Sequence, residues 1–169
     1  MNTSNQQNTI GSYFKSSKIL FGAFILGVIN FGIVILILFY LGRLPLGAFD
    51  SNITIYFIGG SLAFFVAMQY VGSSVFKSKT ASVKHEFSLS KKLAVYREAK
   101  LIQAVTMEAS ALAAMVFLML ITHVVFLVIA LLSLIQMIRI FPKKSELIEA
   151  LDLSYSDQQK LEIPDFKLD

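Results

Sequence analysis

Residues 90–141 read SKKLAVYREAKLIQAVTMEASALAAMVFLMLITHVVFLVIALLSLIQMIRIF, and this stretch decides the fold. It opens on four basic side chains, Lys91, Lys92, Arg97 and Lys100, and then turns apolar for forty residues. Between Leu101 and Arg139 the only ionisable side chains are Glu108 and His123, and neither Gly nor Pro interrupts the run. One straight helix over 101–140 would be about 60 Å long, twice the roughly 30 Å hydrocarbon core of a bilayer. The chain is therefore expected to turn. Thr122-His123 is the polar break available, which predicts helices over about 93–121 and 124–141. The first begins in water, several turns before its apolar part.

Two more apolar runs lie upstream, over about 19–41 and 53–76. Twenty-three residues at about 1.5 Å each reach about 34 Å, enough for a span with some tilt. None of these runs alternates with period two, which favours helices over a barrel. The composition agrees: 15% of residues are charged and 56% hydrophobic, with a mean hydropathy of +0.69, against about 25% charged in a soluble domain. The expected fold is all-α, an integral membrane four-helix bundle made of two helical hairpins, with a short cytosolic helical tail. The chain divides into a polar N-terminal tail (1–18), a membrane domain (19–141) that includes a basic cytosolic loop (77–100), and a C-terminal tail (142–169).

Charge sets the orientation. Thirteen of the fifteen Lys and Arg residues fall in the N-tail, the 77–100 loop and the C-tail, and Arg139 ends the fourth run on the same side; Arg43 stands alone on the other side. The positive-inside rule then puts both termini in the cytosol of a cell's inner (plasma) membrane. The net charge of +4 is accounted for by topology, and no nucleic-acid partner is expected. The first apolar run is too long for a signal peptide and lacks a small-residue cleavage site, so it is read as a retained span. There is no cysteine, hence no disulfide or thiol chemistry.

Small residues mark faces where helices approach closely. Ala23 and Gly27 form one such pair, and Gly59, Ala63 and Ala67 repeat every four residues along the second helix. In the tail, Pro142 is expected at the first position of a helix over 143–151. Ser156 and Gln159 suggest a capping box, and Ser90 is the expected N-cap of the third helix. Leu147, Leu151, Leu153 and Leu161 are expected to pack on the start of that helix, and the residues from Pro164 to form a loose end.

Chemistry has few places to reside. An ionisable residue inside a span is a functional candidate. A carboxyl at the depth of Glu108 costs ~2.5–3.5 kcal/mol to insert, which neighbouring aliphatic residues offset at ~0.3–0.6 kcal/mol each. Gln69 and Gln136 are expected in the same layer as Glu108, with Asn30 deeper. This set reads either as a hydrogen-bonded polar layer fixing helix register or as a proton or cation site. The basic residues Lys77, Lys79, Lys84, Lys91, Lys92, Arg97 and Lys100 are candidate lipid-headgroup contacts, at about 1 kcal/mol each. His123 is read as a wet turn residue and His85 as solvated. No phosphate loop, nucleophile elbow or metal-ligand spacing occurs, so neither an enzyme nor a cofactor is expected.

The segment from Arg97 to Leu120, REAKLIQAVTMEASALAAMVFLML, resembles the carboxylate-bearing helix of the proteolipid (c-type) subunits of rotary ATPases. The resemblance implies that Glu108 is the ion-carrying carboxylate, and four spans match the duplicated form of that family. The chain as a whole is similar to small four-helix membrane proteins of bacteria. Two functions follow as expectations. One is a non-enzymatic accessory or scaffolding subunit with lipids and a membrane-protein partner or second copy around it. The other is a proteolipid-like subunit translocating protons or cations through Glu108.

Overall fold

The computed structural model describes residues 9–43, 51–83 and 86–168. Over these residues the chain is all-α and forms six helices: α1 (Ile10–Tyr40), α2 (Ser51–Ala81), α3 (Leu89–Ile121), α4 (Val124–Arg139), α5 (Lys144–Ala150) and α6 (Tyr155–Glu162). Three of them, α1, α2 and α3, are long and apolar enough to cross a membrane. The sixteen residues of α4 cover about 24 Å. It reaches spanning length only together with α5, from which it is bent by 80°.

The long helix α3 is the hub. It packs against α1, α2 and α4, whereas α1 and α2 hardly meet. Contacts along α3 fix the register. Phe57 of α2 meets Phe117 (ring centroids 5.5 Å apart), while Gly72 of α2 lies against Gln103 and Thr106, so these helices run antiparallel. Gly27 and Gly32 of α1 approach Glu108 and Met115 in the same order, so α1 and α3 run parallel. In α4, Phe126 meets Phe117 at 5.7 Å and Ser133 meets Ser110, again antiparallel. The start of α1, the end of α2, the start of α3 and the end of α4 therefore gather at one end of the molecule.

The α3–α4 corner turns without glycine. Thr122 takes a left-handed conformation (φ 55°, ψ 36°), a strained choice for a β-branched residue. His123 then caps α4 through Nδ1, which accepts from the Val125 amide at 3.3 Å. The ring saturates one of the four orphan donors at a helix start.

Two cores result. One, between α1, α3 and α4, contains Val28, Ile35, Met107, Ala111, Ala114, Met115, Ile129, Ala130 and Met137. The other lies at the gathered ends and joins Ile10 and Phe14 of α1, Leu89, Leu93 and Tyr96 of α3, and Leu147, Leu151, Leu153 and Leu161 of the tail.

Several local expectations change. The N-terminal tail is helical from Ile10, opened by a reciprocal capping box between Thr9 and Ser12, because Ile10 and Phe14 find a core that the tail lacks in sequence isolation. Ser88, not Ser90, caps α3; its Oγ accepts from the Lys91 amide. Ser154, not Ser156, caps α6 by accepting from the Asp157 amide. Pro142 precedes the cap residue Lys143 and does not enter α5. The last residues are not loose: the Ile10 and Gly11 amides donate to the carbonyls of Phe166 (3.1 Å) and Pro164 (2.8 Å), and Thr9 bridges to Lys167. The orphan amides of α1's first turn are thus satisfied by the far end of the chain.

Candidate functional site

The register brings Glu108 of α3, Gln69 of α2 and Gln136 of α4 to one level. Each is half-buried. The Glu108 carboxylate passes close to Gly27 of α1, where a Cβ would sit 3.8 Å from Oε1. The Gln69 amide nitrogen is buried without a hydrogen-bond partner. Among the described residues no hydrogen bond joins these three side chains, so shared depth does not become a network. Asn30 departs from the set: it is exposed on the outer face of α1, about one turn farther along.

The side-chain hydrogen bond that does link helices at this depth is one the sequence reading missed. Ser133 Oγ donates to Ser110 Oγ at 3.2 Å and also lies 3.0 Å from the Ile129 carbonyl, and both serines are buried. A signal was present, since the two serines stand nearly symmetrically about Thr122-His123. On α2 the expected packing stripe is displaced. Gly59, Ala63 and Ala67 are all exposed, and the close approach to α3 is made by Gly72. There a Cβ would overlap Thr106 Oγ1 and lie 3.5 Å from the Gln103 Cα. Residues Tyr56, Phe57, Gly60, Ser61 and Phe64 line an apolar groove of about 450 Å3 against Ala113 and Phe117.

The basic residues divide into three groups. Lys92 and Lys100 are buried, at 3% and 1% exposure, and so do not reach lipid headgroups. Lys92 Nζ donates to Asp157 Oδ2 of α6 at 2.8 Å. Lys100 pairs with Glu146 of α5 and lies over the Phe76 ring, 4.7 Å from its centroid. These two lysines dock the tail helices onto α3. Lys79 pairs with Glu98 at 2.8 Å, and Lys91 covers the Phe87 ring at 3.8 Å. Lys77 is exposed and Arg97 half-buried, while Lys84 lies outside the described residues, as does His85.

Burial dominates the electrostatics of this end, which precedes the apolar part of α3. It pushes the Lys100 ammonium below the usual lysine range, opposed by the Glu146 carboxylate. It pushes both tyrosines up: Tyr13, whose hydroxyl donates to the Leu93 carbonyl at 2.8 Å, and Tyr96, which also feels the Glu146 charge. Burial disfavours the charged form, which is the protonated ammonium of lysine and the deprotonated phenolate of tyrosine, so the two kinds of group shift in opposite directions.

Chemically, the layer offers one carboxyl and two amides, and the basic end offers cations held by hydrogen bonds and rings. Among the described residues no group of three or more His, Asp or Glu is placed to hold a metal ion. Comparison with family models, with curated proteins and with solved structures gives no match for this chain.

Proposed function

We propose that the chain is a four-span membrane protein of a cell's inner membrane with both termini cytosolic, and that it works as a non-enzymatic accessory or scaffolding subunit. One observation carries the reading: away from the side that packs on α3, α2 is bare. Ile53, Ile55, Tyr56, Leu62, Val66, Tyr70 and Val71 are exposed along its length, and the small residues Gly59, Ala63 and Ala67 face outward among them. Small residues on a lipid-exposed face let another helix approach closely enough for packing to hold it. The gathered helix ends support the common side of the termini, and the basic residues clustered there support that side being cytosolic.

The absence of cysteine makes single-cysteine variants direct tests. A membrane-impermeant maleimide added to intact cells should label Gly42→Cys and spare Lys167→Cys. In native membranes Ala63→Cys should form a disulfide or bifunctional crosslink to a second copy or a neighbouring subunit, while Ser133→Cys, facing the core, should not. A chain that stays monomeric with Cys at 59, 63 and 67 alike would overturn the accessory role.

A second reading is favoured by Glu108 itself, a half-buried carboxyl that no described side chain pairs with. As a proteolipid-like subunit, the protein would pass protons or cations through this group. A hydrophobic carbodiimide should then modify Glu108 in native membranes, less as pH rises and less with the transported cation present, and the protein should assemble in rings. Absence of labelling at every pH leaves Glu108 a sequestered packing residue.

A further inference from the structure

We propose that the cleft between the first turns of α1 and the start of α3 is a binding site for the phosphate headgroup of an anionic phospholipid. The inference rests on the membrane reading above and adds a specific ligand site to it. The cleft has a volume of about 700 Å3 and is lined on the α1 side by Ser12, Tyr13, Lys15, Ser16 and Ile19. The α3 side contributes Ser90, Leu93, Ala94, Arg97, Glu98 and Leu101.

Charge identifies the ligand class. Lys15 and Arg97 stand on facing walls, and among the described residues neither has a carboxylate at ion-pair distance. Glu98, the acidic residue of the lining, is engaged by Lys79. Among the described residues, two cations therefore face a cavity whose one acidic lining residue is already compensated, the inverse of the tail interface, where each buried lysine has its carboxylate. The first turn of α3 lines the same space through Ser90, and the positive end of a helix dipole favours an anion there. Arg97 can offer two parallel N–H donors to a phosphate, a geometry that lysine lacks.

Position selects a lipid over free phosphate. Ile19 and Leu101 line the cleft together with the polar side chains, and they open the apolar parts of α1 and α3. Ile19 is 63% exposed. A phosphate bound between Lys15 and Arg97 would leave its acyl chains running down along Ile19 and the apolar flank of α3. A free anion would gain nothing from these residues.

The test uses the full chain in nanodiscs. Native mass spectrometry would count retained lipid as phosphatidylglycerol competes with phosphatidylcholine, with inorganic phosphate added in a parallel arm. The wild type should retain phosphatidylglycerol selectively and resist displacement by phosphate. Lys15→Gln or Arg97→Gln should each weaken the preference by about tenfold or more, and the pair by about a hundredfold, as expected of a charge-assisted phosphate contact at each cation. Arg97→Lys should recover part of the loss. Lys18→Gln, an equal charge change on the same helix outside the cleft, should cost no more than the general loss of one surface charge, about fivefold. Equal losses for Lys18→Gln and Lys15→Gln would overturn the site in favour of diffuse surface charge, and displacement by phosphate would overturn the lipid as ligand. Carbonate extraction of native membranes separates the two levels. A chain released from membranes fails the membrane reading, whereas a retained chain with no lipid preference fails only this site.

Discussion

The two ends of α3 are held in place by opposite means. At the start, Lys92 and Lys100 are buried against Asp157 and Glu146, and Ile10, Leu93, Leu147 and Leu161 close over them. Farther along, contacts rely on what is missing: Gly72 admits Thr106, Gly32 admits Met115, and Ala111 and Ala114 let α4 come close. On the membrane reading proposed above, water accounts for the difference. At a water-facing end, burying each large aliphatic side chain stabilises by about 1.5–3 kcal/mol, which can offset the desolvation of an ion pair. Among lipid chains that driving force vanishes, and close packing with a few hydrogen bonds must suffice. On that reading one helix is built for two solvents.

The largest effect should come from breaking the tail interface. Asp157→Ala leaves the Lys92 ammonium buried and unpaired, which costs about 3–5 kcal/mol. It should release α6, read as faster amide exchange and protease cutting within 155–162. Lys92→Met with Asp157→Leu removes both charges and should restore most of the docking. If the single substitution leaves exchange unchanged, the ion pair is not part of what holds the tail.

Alkaline pH should strain the same end. Burial raises Tyr13 and Tyr96 in the folded state, so the unfolded chain loses these protons first, near the ordinary tyrosine value of about 10. The stability they contribute is complete below pH 10 and lost as pH rises beyond it. Lys100, lowered by burial, works in reverse: its penalty is present at neutral pH and eases as the folded state releases its proton. Two tyrosines against one lysine give net undocking above about pH 10, visible in a tyrosinate absorbance titration together with tail proteolysis. Ionisation of all tyrosines at an ordinary pH with the tail still protected would contradict it.

In the apolar section, Gly72→Ala places a methyl group on Thr106 Oγ1, and such overpacking costs about 1–3 kcal/mol. α2 should separate from α3, lowering the thermal midpoint in detergent. Adding Thr106→Ala removes the obstructing hydroxyl and should recover the loss. Failure of that rescue would mean that the backbone approach to Gln103, and not the hydroxyl, sets the limit.

What could be read from the sequence follows the same division. The apolar runs and the polar pair Thr122-His123 are local signals, and α3 ends at Ile121 with α4 starting at Val124. Helix periodicity says less about which face meets which. The stripe Gly59, Ala63 and Ala67 satisfies the small-residue pattern yet faces outward, while Gly72, a single glycine, makes the contact. At the water-facing end the deciding partners are far away in the chain. Ile10 is a core residue only because Leu93 and Leu161 reach it, and the Ile10 amide is satisfied by Phe166. Lys92 and Lys100 look like any other members of a basic run until Asp157 and Glu146, 65 and 46 residues on, are folded against them. Composition distinguishes the apolar length of a helix from its polar start but does not reveal which lysine is buried.

The smallest effect tests the apolar section on its own terms. Ser133→Ala removes the hydrogen bond to Ser110 and leaves the second hydroxyl able to turn back onto its own helix, as Ser133 already does toward the Ile129 carbonyl. Interhelical hydrogen bonds in lipid average about 0.6 kcal/mol, with a maximum near 1.7, because an unpaired hydroxyl in a helix finds a backbone acceptor nearby. Ser133→Ala should therefore lower stability in bicelles by about that average, several-fold less than Asp157→Ala. Ser133→Val, which adds a branch at Cβ and bulk between α3 and α4, should cost more than Ser133→Ala. The opposite order would show that the hydroxyl outweighs the packing, and that α3 and α4 are held by polar contact like the tail. A small loss for alanine and a larger one for valine keeps the contrast intact: charge and burial secure the start of α3, and closeness of approach secures its apolar length.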